Sequence, residues 1–149
     1  MSLFAEVADA VKFFVDHEPI AQPRMKISGF HRWLPKTADG NPHPVIAYKK
    51  LIRLLAKAHY QGKPFEGPLK ASFLFLLPRP GRLIWKTKPM ARLWAPGRPD
   101  TDNFCKAVMD ALINMLWLDD SQIVDLRAVK MYAAGDEQAG VEIQVEELP

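Results

Sequence analysis

The chain has a single cysteine, Cys105, among its 149 residues, and this excludes an internal disulfide. No Cys/His cluster has zinc spacing either, so nothing asks for an oxidising compartment or a structural zinc. Long apolar runs are also missing. No segment approaches the roughly 18 apolar residues of a membrane span. The opening MSLFAEVADAVKFFVDHE carries acids where a signal peptide needs an unbroken apolar stretch. The expectation is a soluble, cytoplasmic protein with no membrane partner. There is no internal repeat and no low-complexity tract. Charge of one sign is absent locally rather than globally. From Arg79 to Arg98 there are six Arg or Lys and no acid, whereas Gly135 to Pro149 carries five acids and no base. The net charge is only +3, so it is this basic block, more than the sum, that points to a polyanion such as nucleic acid; a solvated loop is the plain alternative.

What is present suits one α+β domain over residues 1–149, since 48% of the chain is apolar and the length allows a single real core. Ten of the 13 prolines gather in loops at Pro19 to Pro23, Pro35 to Pro44 and Pro78 to Pro99. Between them, Val11 to Asp16 reads as a strand. Tyr48 to Gln61 reads as an amphipathic helix, with Leu51, Leu54, Leu55 and Ala58 as its apolar stripe and Lys49, Lys50, Arg53 and Lys57 between them. LKASFLFLL, Leu69 to Leu77, suits a buried strand closed by Pro78. Gln122 to Tyr132 reads as extended, and Val141, Ile143 and Val145 alternate with polar residues as in a strand with one wet face. This order gives a mixed or antiparallel sheet with two main helices.

The second helix is expected over Asp102 to Met115. Phe104, Val108, Ala111, Leu112 and Met115 share one face, and Asp102, Lys106 and Asp110 share another. Met109 and Ile113 fall near the charged stripe, where a partner subunit or a groove of the same chain would cover them. If Asp100 to Asp102 stays extended, both carboxylates point the same way and repel unless a cation lies between them. Mg²⁺ suits such a pair, because it takes one or two carboxylates and uses other positions for water and phosphate oxygens. Each feature also has a plain reading: acids capping a helix, an Asp102/Lys106 ion pair, Asp119 and Asp120 in a turn, Trp117 as a core anchor.

The motifs R-P-D-x-D-N-x-x-K-A-x-x-D-A-L, from Arg98, and W-L-D-D-S-Q-I-V-D-L, from Trp117, resemble the signature of RusA-type Holliday junction resolvases of bacteria and prophages. The likeness is dense from Arg98 to about Met131 and loose beyond. It implies a small α+β protein forming an intertwined homodimer that nicks four-way DNA junctions in symmetric pairs, with Mg²⁺ held by acidic side chains as cofactor; whether Mn²⁺ substitutes is left open by the sequence. Carried over by position, the catalytic and metal-binding carboxylates are Asp100, Asp102 and Asp120, and the catalytic lysine is Lys106. Asp119 and Asp110 match family positions in supporting roles.

On this reading the basic loop at about 78–99 contacts DNA, with Arg79, Arg82, Lys86, Lys88, Arg92 and Arg98, together with Arg24, neutralising phosphates and Trp85 or Trp94 stacking on unpaired bases. The rival expectation has those tryptophans packed on their own domain or across a dimer. A nuclease for forks or flaps and an inactive junction binder stand as the functional alternatives.

Overall fold

The computed structural model describes residues 2–5, 7 and 9–149. It is an α+β domain built on a mixed five-stranded sheet. In chain order the elements are β1 (Val11–Val15), β2 (Lys26–Ser28), β3 (His31–Trp33), α1 (Val45–His59), β4 (Leu69–Leu77), β5 (Leu93–Trp94), α2 (Thr101–Leu112), β6 (Ile123–Tyr132) and β7 (Gly140–Glu147). The sheet order is β1-β7-β4-β6-β5, and β2 with β3 forms a separate hairpin. Only the β4/β6 pair is parallel among these strands; its crossover carries α2.

β4 sits at the centre and is buried along nearly its whole length, which is why its sequence shows a continuous apolar run rather than alternation. One sheet face carries the main core, into which α1 and α2 press Ile52, Phe104, Val108 and Leu112 against Phe73, Phe75 and Ile143. The other face carries a smaller cluster of Phe4, Leu74, Leu76, Met131 and Ala133. β7 buries Val141, Ile143 and Val145 as its alternation predicts. Its other face is covered in part, since Gln144 is buried and donates from Nε2 to the Ala5 carbonyl at 3.0 Å.

Two helical registers differ from the sequence expectation. α1 starts three residues earlier, at Val45, and buries Val45, Tyr48, Ile52 and Ala56; Leu54 is 66% exposed. The leucine spacing alone sets the stripe one position off, because it does not reveal that the helix begins at Val45. Two of the basic side chains of α1 hold it to α2: Lys49 Nζ lies 3.3 Å from Asp110 Oδ2, and Arg53 Nε donates to the Ala111 carbonyl at 2.9 Å. α2 stops at Leu112 rather than Met115. Asn114 takes a positive φ of 65°, and its N–H donates to the Trp117 carbonyl at 2.6 Å. The turn that follows sends Leu116 and the fully buried Trp117 into the core in place of Met115.

Candidate active site at the N-terminus of the second helix

Asp100 is the last extended residue before α2, with φ −69° and ψ 147°, and Asp102 already lies in the first turn. The expected extended Asp100–Asp102 segment therefore ends two residues early, at Asp100, and strand alternation does not align the two carboxylates. Their surroundings do. Asp100 opens onto a cleft of about 370 Å³ and Asp102 onto one of about 470 Å³. The two clefts share Gln22, Pro23, Arg24 and Asn103, so they form one concavity with Lys106 on its wall.

Asp102 lies in the first turn, where its charge suits the helix dipole, but neither a side-chain cap nor an Asp102/Lys106 ion pair forms. The Asp100 side chain makes no capping hydrogen bond; only its backbone carbonyl accepts from α2, from Asn103 N at 3.1 Å and Phe104 N at 3.3 Å. Among the described residues, Asp100, Asp102 and Lys106 form no side-chain hydrogen bond and no ion pair. Two exposed carboxylates and an ammonium one turn along the same helix are thus uncommitted.

The platform is fixed from two sides. Lys130 near the end of β6 donates from Nζ to the Pro99 carbonyl at 2.7 Å and also to that of Gly97. Gly97 has a φ of +114°, which a residue with Cβ adopts only under strain. From the other side, the Gln22 N–H donates to the Asn103 carbonyl at 2.9 Å, tying the segment before β2 to the first turn of α2. Gln22 Oε1 is buried and has no hydrogen-bond partner among the described residues. Lys130 and Gln22 are positioning residues that spacing alone did not reveal. Cys105, on the buried side of the same turn, has its thiol pushed up to about 11 by burial and by the charge of Asp102, so it is an inert core residue.

Asp120 stands elsewhere. Its Oδ1 accepts from the Trp117 indole Nε1 at 2.7 Å, beyond the C-terminal end of α2. Asp119 caps the short 3₁₀ turn Asp120–Gln122, accepting from Ser121 N at 2.8 Å, while Gln122 Oε1 accepts from Asp119 N at 3.0 Å. The hydrogen bonds from Ser121 hold the Asp119 carboxyl below its usual range. The 12 residues of α2 rise roughly 18 Å, so the two ends of the helix are well separated. β6 agrees, because Ile123 next to Asp120 and Lys130 next to Pro99 are roughly 23 Å apart along the strand. Among the described residues, no group of three potential ligands gathers within one chain. Asp110 is engaged by Lys49 rather than facing Asp100 and Asp102.

A comparison with protein-family models matches the description Endodeoxyribonuclease RusA over residues 16–146. The chain belongs to the RusA endodeoxyribonuclease family. It is also 30% identical over 145 residues to a Bacillus subtilis (strain 168) protein described as Uncharacterized protein YqaN, covering 94% of this chain and 98% of that one. Within this RusA-family chain, the expected DNA-facing cations divide into two groups. Arg79 is turned inward: Nε donates to the Leu83 carbonyl at 2.8 Å and Nη1 to those of Ala91 and Ala133 at 2.7 and 3.2 Å. Arg92 forms a bidentate pair with Glu137, which holds that carboxyl down to about 2. These two shape the loop from inside. Arg24, Arg82, Lys86, Lys88 and Arg98 are exposed. Trp85 lies between Arg79 and Lys88, whose cationic groups stand 4.9 and 4.1 Å from its ring, whereas Trp94 is 72% exposed. No described helix is long and apolar enough to cross a membrane.

Proposed function

We propose that this RusA-family chain is a divalent-metal-dependent endonuclease that resolves four-way DNA junctions as a homodimer by paired symmetric nicks. The observation that carries the reading is the uncommitted Asp100, Asp102 and Lys106 on one concavity rimmed by Arg24 and Arg98. The donor chemistry suits Mg²⁺, which prefers oxygen ligands and uses one or two carboxylates. Asp100 and Asp102, with Asp120 of a second copy, would hold it; when bound, the ion supplies Lewis-acid activation of a water and of the scissile phosphate. Mn²⁺ suits the same donors.

The free edge of β6 supports a dimer that completes this set. β5 pairs with Tyr132 and Met131, so among the described residues the outer edge from Ile123 to Val129 has no partner strand, and Val124 and Leu126 are exposed at 64% and 45%. Unpaired edges of this kind add a strand readily. Antiparallel pairing with a second copy, about an axis between Leu126 and Arg127, would set that copy's Ile123 opposite Lys130. Its Asp120 would then approach the Lys130-clamped entrance to Asp100. The same pairing would cover the cleft lined by Cys105, Met109, Leu126 and Ala128 beside Asp102 and Lys106. It accounts for the half-buried Met109 on the charged side of α2, and for a two-fold enzyme acting on two equivalent strands.

In hydrolysis, water attacks phosphorus in line and the bond to the 3′ oxygen breaks. Lys106 places its ammonium where negative charge grows on the phosphate and leaving oxygen. Arg24 and Arg98 neutralise flanking phosphates and hold the strand over the cleft. The test incubates purified protein with a labelled synthetic four-way junction, a fork, a flap and a linear duplex, with Mg²⁺ and with chelator. Symmetric metal-dependent nicks in the junction are expected. Preferential cutting of the fork or flap would replace the substrate, equal cutting of linear duplex would make the protein a general nuclease, and binding without nicking would make it a junction binder.

A further inference from the structure

We infer that the β2–β3 hairpin is a wedge whose tip, Phe30, stacks on bases unpaired at the DNA branch point; this rests on the junction-nuclease reading above. Ser28 pairs with His31, so the loop is Gly29-Phe30 alone. Gly29 takes a φ of 57°, the left-handed conformation that a two-residue hairpin needs at its first loop position, and this leaves Phe30 at the apex. Phe30 is 105% exposed, Ile27 62% and Trp33 44%, and both strands are exposed along their length. A phenylalanine fully in water at a hairpin apex does nothing for the core. The charge around it selects the occupant. From Pro19 to Ala38 there are Arg24, Lys26, Arg32 and Lys36 and no acid. Aromatic surface interleaved with cations matches stacked bases flanked by phosphates.

The position of the root gives the wedge its purpose. The segment leading into β2 is pinned by Gln22 to Asn103, and Gln22, Pro23 and Arg24 line the cleft shared with Asp102 and Lys106. The six residue steps from Arg24 to Phe30 reach at most roughly 20 Å, about six base-pair steps. A phosphate seated at Asp102 and Lys106 therefore lies within reach of a branch opened by Phe30. The hairpin stands off the main sheet and, as an isolated two-stranded ribbon, gains stability by docking on a partner.

The experiment uses the full chain carrying Asp100→Asn, so that DNA is bound and not cut, and a four-way junction with 2-aminopurine at the crossover. The parent is expected to raise the fluorescence on binding. Phe30→Ala should abolish the rise and weaken junction binding by about 5- to 100-fold while leaving linear-duplex binding unchanged, and Phe30→Trp should restore both. The wedge is overturned if Phe30→Ala gives the parental rise or lowers junction and duplex affinity equally. It is also overturned if Phe30→Ala turns a dimer into a monomer in sedimentation, since the hairpin would then be an arm on a second copy. A parent that fails to bind the junction at all overturns the junction reading itself. A chain that cleaves junctions normally without dependence on Phe30 overturns only the wedge.

Discussion

Trp117 joins stability to the proposed chemistry at the scale of one residue. Its ring is fully buried in the main core while its Nε1 holds Asp120 at 2.7 Å. Trp117→Phe keeps most of the apolar volume and removes the hydrogen bond, so it should lower junction cleavage at least tenfold with only a modest fall in melting temperature. Trp117→Ala should cost about 3–5 kcal/mol in denaturant unfolding, as truncation of a large core aromatic does. Asp100→Asn and Asp102→Asn remove negative charge from the proposed phosphate site and displace no hydrogen bond or ion pair of the described chain. Cleavage should fall by more than about a hundredfold, with junction affinity in a gel-shift assay unchanged or higher; loss of binding would count against the assignment. Lys106→Met should lower the cleavage rate while leaving DNA binding within about tenfold, as expected for one lost phosphate contact.

At the scale of the elements, the hold on the site is what can be broken. Lys130→Met removes the donor to the Gly97 and Pro99 carbonyls and should slow cleavage without unfolding the domain, since the Lys130 side chain reaches a loop and not the core. The Arg92/Glu137 pair fixes the basic loop to the turn before β7, with Glu137 also accepting from Ala134 N at 2.9 Å. The Glu137 carboxyl is held down to about 2, below its ordinary value of 4.5, chiefly through the Arg92 hydrogen bond. The pair therefore contributes stability above pH 4.5 that is lost as the pH falls toward 2. Glu137→Gln should flatten that part of the melting-temperature profile, and an unchanged acid limb would contradict it. The central strand and the alternation of β7 were legible from apolar pattern alone, because burial on both faces or one leaves a direct imprint. The α1 register was not, because three leucines outweighed Val45. The hairpin β2–β3 was missed although K-I-S-G-F-H-R-W carries a glycine at the turn; its strands of three residues each are too short for periodicity to register.

At the scale of the whole molecule, the sequence carried the site's residues but not their assembly. D-x-D-N-x-x-K and W-L-D-D stood out by residue type and spacing. The length of a helix over Asp102 to Met115, roughly 21 Å, already sets the two motifs apart and requires either a chain that doubles back after Leu116 or a second subunit; spacing does not choose between them, and α2 and β6 hold the motifs roughly 20 Å apart in one chain. The roles of Lys130 and Gln22 are tertiary in the same way, because each reaches a carbonyl brought near only by folding. The dimer proposed through the β6 edge would resolve the separation, and it leads to a test in which two variants expected to be inactive are mixed. Asp100→Asn and Asp120→Asn subunits, co-refolded or exchanged, form heterodimers in which one composite site has lost both carboxylates and the other is intact. The account predicts that the mixture regains Mg²⁺-dependent nicking, confined to one strand of the junction in each heterodimer, while either variant alone stays inactive. A mixture with demonstrated heterodimers that remains as inactive as its parts would contradict the composite site.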